Sequence, residues 1–373
     1  MTKTFDAVIV GAGIVGAACA MEFARDGMNL AIVEKDEIGG GATAAAMGHV
    51  VVLAGSPAQL ALTRYSQLLW QMMAGGLPRE AEYARPGTLW IAADDEEMQE
   101  VRRKDRIYRE HGIPCQVLEG PALARIEPAL RGGLAGALEV VEDAVVLSQA
   151  AAQFFLQHAL TARGTLYRET VTAMGSGKVL LSSGEELHAP VLVNAAGEWA
   201  AELTPELTIL KRKGHLAMSG RFPAVVSHQL VELGYLKSAH SSTLDSVAFN
   251  VQPRSNGQLL IGSSRQYGVE SREVDEDILG RMLRRATEYL PGLASVSIER
   301  TWTGFRAATP DKLPLIGPLA EDATVFAATG HEGLGITTSL ATARLLADSI
   351  AGRRTAIPIE PYLPSRSMGE KRG

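Results

Sequence analysis

The 373-residue sequence contains few cysteines and few aromatic side chains. Its two cysteines, Cys19 and Cys115, cannot form a disulfide framework, and the sequence has no C-x-x-C pair. The chain alone therefore provides neither a cysteine-ligated iron–sulfur cluster nor a four-cysteine zinc site. Aromatic residues make up 5% of the chain whereas glycine occurs 38 times, which indicates many tight turns and close approaches of backbone.

The sequence also lacks an excess of positive charge and a long apolar run. Its 36 basic and 42 acidic residues are dispersed and give a net charge of −6, which argues against nucleic-acid binding. The apolar run at residues 7–20 is too short to span a bilayer, and Glu22, Arg25 and Asp26 follow it. We therefore expect a cytoplasmic protein without a transmembrane segment or secretory leader. The eight histidines show no H-E-x-x-H spacing, and we expect no metal site.

A predicted strand, a glycine turn and a predicted helix open the chain. The strand Phe5–Val10 is followed by Gly11, Gly13 and Gly16 in a G-x-G-x-x-G motif, and a second strand ends at Glu34. Glycines at these positions let the backbone approach a pyrophosphate, whose charge the helix N-terminus stabilises. The carboxylate of Glu34 would accept hydrogen bonds from a ribose and repel a 2′-phosphate. The motif predicts dinucleotide binding and disfavours NADP.

A second segment of small residues, from Gly39 to Gly48, follows shortly after this motif. Small residues in series let the backbone lie against a flat ring, which favours FAD over NAD. An ordinary helix entry is the alternative interpretation of this segment on composition alone.

A strand is predicted at Thr165–Val171, and further buried strands are predicted at Val191–Asn194 and Val325–Ala328, with a hairpin at residues 246–262 between the last two. This order predicts an α/β fold in which a Rossmann-like FAD-binding domain is interleaved with an α+β substrate domain that carries a mostly antiparallel sheet. We expect the FAD-binding domain at residues 1–75, 145–205 and 300–360, the substrate domain at 76–144 and 206–299, and a solvated tail at 361–373.

Four separated motifs resemble the FAD-dependent D-amino-acid oxidase/glycine oxidase (DAO) superfamily. They are the Gly11–Glu34 unit, the Gly39–Gly48 segment, Ala195-Ala196-Gly197 with Trp199, and a C-terminal block at residues 303–336. The resemblance covers essentially the whole chain. Residues 42–49, 211–215 and 233–240, the last leading to 262–266, are most similar to the catalytic β subunits of heteromeric D-hydroxyproline dehydrogenase and hydrogen cyanide synthase-type enzymes.

The resemblance implies FAD as cofactor and a set of residues that bind it. The implied cofactor-binding residues are Gly11, Gly13, Ile14, Val15, Gly16, Glu34, Lys35, Gly41, Ala42, Thr43, Ala46, Met47, Gly48, His49, Val171, Ala195, Ala196, Gly197, Trp199, Arg306, Gly330, His331, Gly333, Leu334, Gly335 and Ile336.

The resemblance assigns the substrate carboxylate to Arg306, because a guanidinium binds a carboxylate through two parallel hydrogen bonds. A structural pair with Asp311 is the alternative, and Ala307 stands where the family usually has proline. His49 is the second catalytic candidate. His215, Asn250, Gln252 and His331 are the further candidates for substrate contact, and Tyr235 and His240 precede the hairpin.

The implied reaction is oxidation of the C–N bond of a D-amino or imino acid by hydride transfer to flavin N5. The first expected substrates are cis-4-hydroxy-D-proline and D-proline, with electrons passed to a second flavin-containing subunit and an iron–sulfur subunit. Alternatives are a self-sufficient D-amino acid, glycine or sarcosine-type oxidase that produces hydrogen peroxide, an opine or glycine dehydrogenase subunit, and a non-catalytic subunit that holds FAD. An NAD dehydrogenase would leave the C-terminal glycine block unexplained.

Overall fold

A computed structural model of the chain describes residues 3–234 and 245–366. Tyr235, His240 and the last seven residues of the expected tail lie outside the described residues. The chain divides into two units, each assembled from separated parts of the sequence. Unit 1 comprises Met1–Tyr83, Val146–Lys211 and Phe305–Gly373, and unit 2 comprises Ala84–Val145 and Arg212–Gly304.

The helices and strands of the described residues are numbered in chain order. The α-helices are α1 (Ile14–Arg25), α2 (Pro57–Met73), α3 (Asp95–Glu110), α4 (Gly120–Ile126), α5 (Ser148–Ala162), α6 (Ala200–Leu203), α7 (Glu276–Tyr289) and α8 (Gly335–Ile350). The strands are β1 (Lys3–Thr4), β2 (Ala7–Val10), β3 (Leu30–Val33), β4 (His49–Val50), β5 (Thr88–Ala92), β6 (Cys115–Glu119), β7 (Gly136–Val140), β8 (Ala144–Val145), β9 (Gly164–Tyr167), β10 (Val171–Gly175), β11 (Lys178–Leu181), β12 (Glu186–His188), β13 (Val191–Asn194), β14 (Leu210–Arg221), β15 (Gln229–Glu232), β16 (Ser246–Pro253), β17 (Gln258–Tyr267), β18 (Ile298–Ala308), β19 (Leu315–Pro318) and β20 (Val325–Thr329).

Unit 1 is built on a six-stranded sheet in the order β19-β20-β13-β2-β3-β9. Its strands pair in parallel except for β19, which is antiparallel to β20. Every residue of β2 and β3 is buried, as expected for parallel strands covered on both faces, and α1 packs against α5 and α8. A second sheet in the order β1-β12-β11-β10 completes the unit. The predicted α/β fold class is confirmed.

Unit 2 contains an eight-stranded sheet in the order β18-β14-β17-β16-β15-β5-β7-β6. Most neighbours are antiparallel, while β15 and β5 are parallel. Helix α7 packs on one face, where the rings of Phe249 and Tyr289 stack with centroids 4.4 Å apart. Leu89, Leu230 and Val251 belong to the same apolar core.

Two local predictions were wrong. Residues 165–171 do not form one strand, because the polar Arg168 and Glu169 leave the sheet and bond to loops instead. Val171 therefore begins β10, which lies in a different sheet from β9. The described part of the tail, 361–366, is not solvated throughout. Tyr362 is 1% exposed, and its hydroxyl donates to the Ala58 carbonyl at 2.7 Å.

Candidate cofactor and active site

The glycine loop between β2 and α1 brings three backbone segments into close contact. Gly11 has φ +101°, and a Cβ there would lie 2.6 Å from the carbonyl oxygen of Ala195. A Cβ at Gly16 would lie 2.0 Å from the carbonyl oxygen of Gly11. The N–H of Ala12 donates to Oε2 of Glu34 at 2.7 Å, which fixes the acid beside the loop. Positions 11 and 16 therefore accept only glycine. We call the loop from Gly11 to Gly16 the pyrophosphate cradle, because its backbone can approach the pyrophosphate of a dinucleotide closely.

The acid Glu34 also retains the capacity to bind a ribose. Its Oε1 accepts from the N–H of Asp36 at 2.9 Å, so each carboxylate oxygen has one backbone donor and a further lone pair. Nearby, the ammonium group of Lys35 lies 4.0 Å from the ring centroid of Trp199. A Cβ at Gly41 would lie 3.7 Å from the same indole. Lys35, Gly41 and Trp199 therefore form one cluster.

The segment of small residues forms a π-helical turn, Gly40–Ala44, rather than an ordinary helix entry. The hydroxyl oxygen of Thr43 accepts from the N–H of Ile14, the first residue of α1, at 3.0 Å. The hydroxyl of Ser148 donates to the carbonyl oxygen of Thr43 at 2.8 Å. These bonds hold the segment against the N-terminus of α1, where the phosphates of a dinucleotide would bind.

His49 follows this turn, and close packing and hydrogen bonds hold its backbone in place. Gly48 has φ +86°, and a Cβ there would lie 2.0 Å from the carbonyl oxygen of Val146. The hydroxyl of Thr337 donates to the carbonyl of His49 at 2.9 Å and accepts from the N–H of Val51 at 3.1 Å. Nε2 of His49 is buried without a hydrogen-bond partner among the described residues. Burial lowers the pKa of His49 to about 4, so its imidazole is neutral at neutral pH.

The C-terminal glycine block precedes α8. Gly330 has φ +75°, and a Cβ there would lie 2.6 Å from Cγ2 of Thr309. The indole N–H of Trp70 donates to the carbonyl of Ile336 at 3.1 Å and so holds the first turn of α8 in place. The block therefore presents a fixed helix N-terminus, which carries partial positive charge.

Arg306 lies beside this helix N-terminus. A Cβ at Gly333 would lie 3.4 Å from Nε of Arg306, which places the arginine side chain next to the glycine block. Asp311 is bound by Arg366 at 2.7 Å and accepts from the hydroxyl of Thr309. Asp311 therefore already has a partner other than Arg306.

The Ala195-Ala196-Gly197 motif, which follows β13, also lies in unit 1. The carbonyl oxygen of Gly197, which has φ +58°, accepts from the hydroxyl of Thr329 at 3.0 Å. The N–H of Ala196 donates to Oδ1 of Asn194. Both bonds hold the loop at the carboxyl ends of β13 and β20, the edge of a parallel sheet at which ligands bind.

His331 is 7% exposed, and its Nε2 lies 3.0 Å from the hydroxyl oxygen of Thr342 within α8. Burial lowers the pKa of His331 to about 3. The imidazole thus connects the glycine block to α8 as a neutral group.

The stability of the protein is expected to fall in mild acid because of His331. Below its ordinary pKa of about 6.5, this imidazole takes up a proton in the unfolded chain but not in the folded one, at a cost of up to about 1.4 kcal/mol per pH unit. His331→Gln retains a hydrogen-bonding group for Thr342 and cannot titrate in this range. Thermal unfolding at pH 7 and pH 5 should show a smaller loss of stability in the variant, and equal losses would contradict the assignment.

The remaining candidates for substrate contact lie in unit 2 and differ in whether their polar atoms already have hydrogen-bond partners. Nδ1 of His215 lies 2.9 Å from the hydroxyl oxygen of Ser264, and Nε2 accepts from the N–H of Asp275 at 3.0 Å. Both ring nitrogens of His215 are therefore engaged inside the unit. Asn250 and Gln252 are 8% and 0% exposed and retain polar atoms without partners among the described residues.

Sequence reasoning missed Thr337, Trp70 and Ser148, which hold the site's backbone in place. No spacing rule connects Thr337 with His49, because 288 positions separate them. A threonine in the first turn of the helix after the glycine block was the one local signal that could have identified Thr337.

Residues 6–349 match the DAO family of FAD dependent oxidoreductases. Glycine oxidase of Geobacillus kaustophilus is 29% identical over 99% of both chains, and its crystal structure gives a TM-score of 0.87 over 98% of this chain and 99% of that one. Hydrogen cyanide synthase subunit HcnC of Pseudomonas aeruginosa is 28% identical over 99% of this chain and 98% of its own. Iminodiacetate oxidase from Chelativorans sp. BNC1 is 25% identical with a TM-score of 0.82, over 96% and 98%.

The chain belongs to the DAO family and is an FAD-dependent oxidoreductase. The predicted family and cofactor are confirmed. No helix in the described residues is both long and apolar enough to cross a membrane.

Proposed function

We propose that this chain is the catalytic subunit of a dehydrogenase that oxidises the C–N bond of a D-amino or imino acid. Our first candidate substrates are cis-4-hydroxy-D-proline and D-proline, and electrons pass to a partner subunit. The observation that carries the proposal is the position of Arg306 beside the N-terminus of α8. The names of two relatives, glycine oxidase and iminodiacetate oxidase, support an amino acid as the class of substrate.

The residues of unit 1 have distinct roles in this reaction. Arg306 binds the substrate carboxylate through its guanidinium fork and so orients the Cα–H bond. The neutral imidazole of His49 keeps Nε2 available for a hydrogen bond with the cofactor or the substrate. The glycine loop, Glu34 and the first turn of α8 hold FAD, which supplies the capacity to accept a hydride when bound.

A partner subunit is supported by the composition of the chain and by one relative. HcnC is described as a subunit of hydrogen cyanide synthase. With two cysteines in the whole sequence, this chain cannot ligate an iron–sulfur cluster through four thiolates. Electrons that leave through such a cluster therefore require other chains, and we propose that these are a second flavin-containing subunit and an iron–sulfur subunit. We propose that the complex is cytoplasmic.

A self-sufficient oxidase is the second candidate function. It is favoured by the names of two relatives, glycine oxidase and iminodiacetate oxidase, which share 29% and 25% identity with this chain. An oxidase would transfer electrons to dioxygen and release hydrogen peroxide without a partner.

Anaerobic titration of the purified FAD-containing chain with D- and L-amino acids, glycine, iminodiacetate, D-proline and cis-4-hydroxy-D-proline tests the proposal. We expect the visible flavin absorbance to fall with a D-amino or imino acid and to return slowly when air is admitted. Rapid return with stoichiometric hydrogen peroxide would establish the oxidase instead. An unchanged spectrum with every compound would overturn catalysis by this chain alone.

A further inference from the structure

Two side chains of α2 bond to backbone groups in the first two turns of α8. In a regular α-helix the N–H of Ala341 donates to the carbonyl of Thr337, four residues earlier. Here the N–H of Ala341 donates to the hydroxyl oxygen of Ser66 at 3.1 Å. The carbonyl of Thr337 accepts from the indole N–H of Trp70 at 3.2 Å. Ser66 and Trp70 therefore provide a partner for each of the two groups that form one helical bond.

The position of these side chains follows from their own helix and its packing. Residues four apart lie on the same face of an α-helix, and Ser66 and Trp70 are both 0% exposed. The indole of Trp70 also packs among aromatic rings, with its centroid 6.4 Å from that of Tyr83 and 5.5 Å from that of Phe155. The indole is therefore held with its N–H directed at the backbone of α8.

The same indole N–H reaches a second carbonyl, that of Ile336, at 3.1 Å. This carbonyl and the N–H of Thr337 belong to one peptide group. A helical bond joins the N–H of Thr338 to the carbonyl of Leu334 at 2.8 Å. The N–H of Thr337 precedes that bond and so lies at the N-terminal end of the helix. Trp70 thus donates to one end of a peptide group whose other end is part of the helix N-terminus.

Hydrogen bonds in series polarise one another. A donor on the carbonyl of a peptide group strengthens the N–H of that group as a donor, by about 10–30% per bond. The N–H groups at a helix N-terminus also carry the positive end of the helix dipole. Reduced flavin carries negative charge, whereas oxidised flavin is neutral. A stronger donor at this end of α8 therefore favours the reduced form.

We propose that Trp70 is a positioning residue that raises the reduction potential of the bound FAD through the N–H of Thr337. The inference rests on the proposed binding of FAD by the first turn of α8. Trp70 itself makes no contact with the cofactor, because it acts through the peptide group that Ile336 and Thr337 share. The hydroxyl of Thr337, which bonds to the backbone of His49 and Val51, also holds this turn in place.

Trp70→Phe tests this inference, because it removes the indole N–H and retains an aromatic ring. The potential of the bound FAD is measured anaerobically, by reduction with xanthine and xanthine oxidase against a reference dye. We expect the equilibrium constant for two-electron reduction to fall roughly threefold to tenfold, which is a shift of about 15–30 mV to more negative potential. By linkage, reduced FAD should bind more weakly by the same factor, while the Kd of oxidised FAD stays within about twofold.

Tyr83→Phe is the matched control in the same aromatic stack. It removes a hydroxyl from the ring that stacks on Trp70 and leaves the indole N–H bonded to α8. Its potential should equal that of the unmodified protein. An equal shift in both variants would assign the effect to packing of the stack and overturn the proposal. An unchanged potential in Trp70→Phe, with a lowered melting temperature, would show a purely structural role and overturn it as well.

A second replacement decides the question if Trp70→Phe fails to fold or to retain FAD. The amino acid 3-benzothienylalanine, introduced at position 70, has the shape of tryptophan with sulfur in place of the N–H. The same fall in potential is expected in that protein, and an unchanged potential would overturn the proposal.

The outcomes also separate this inference from the proposed function, because the potential is measured without an amino acid. A lowered potential in Trp70→Phe, combined with failure of every amino acid to reduce the unmodified protein, would support this inference and overturn the proposed dehydrogenase. An unchanged potential, combined with reduction by a D-amino or imino acid, would overturn this inference and leave the dehydrogenase intact.

Discussion

Arg306→Ala is expected to lower kcat/KM for the amino acid substrate by roughly thirtyfold to several thousandfold. The range corresponds to about 2–5 kcal/mol, the usual cost of removing one partner from a hydrogen-bonded charge pair. The side chain of Arg306 lies next to Gly333, two residues before α8 begins. Because the same contact orients the Cα–H bond, both kcat and KM should worsen. Steady-state measurement of kcat and KM on protein of known FAD content tests this expectation.

Two further variants show whether this effect belongs to the carboxylate. Arg306→Lys retains the charge but loses the fork, and we expect it to recover only part of the activity. Arg366→Ala removes an arginine of the same unit that is bound to Asp311, and it should affect stability rather than kcat/KM. An Arg306→Ala protein with full FAD content and unchanged kcat/KM would refute the assignment.

Much of unit 1 could be predicted because its signals are local. The strand before Gly11, the helix after it and the acid at Glu34 lie within one short stretch of sequence, and each has a direct physical reason. Gly27, with φ +81°, follows the end of α1 as a glycine after a helix commonly does. The fold class followed from these patterns and from the buried strands near Val191 and Val325.

The remaining features depend on contacts that the sequence pattern does not encode. Thr337 reaches His49, and Lys35 reaches Trp199, only once the sheet and helices have assembled. The break before Val171 arises because polar side chains bond to distant loops, which outweighs the local strand preference. The alignment of Thr88, Gln229 and Gln252 across β5, β15 and β16 becomes visible only when the register of these strands is known.

Gly11→Ala is expected to abolish FAD binding, which is the largest effect expected from adding a single methyl group. Position 11 has φ +101°, where an L-residue is strained, and the new Cβ would lie 2.6 Å from the backbone oxygen of Ala195. The backbone at Ala195 could move away only if the loop after β13 shifted relative to β2. The pyrophosphate cradle would therefore open, and the purified protein should carry little flavin, as measured by the ratio of visible to ultraviolet absorbance.

Gly27→Ala at the other end of α1 is the matched control. Gly27 has a similar φ of +81°, but a Cβ there meets nothing within 4 Å. The substitution should therefore cost about 1–2 kcal/mol of stability from backbone strain alone and leave the FAD content unchanged. The difference between the two variants isolates the contact with Ala195 from the strain that both share. Equal FAD content in both proteins would contradict the requirement for glycine at position 11.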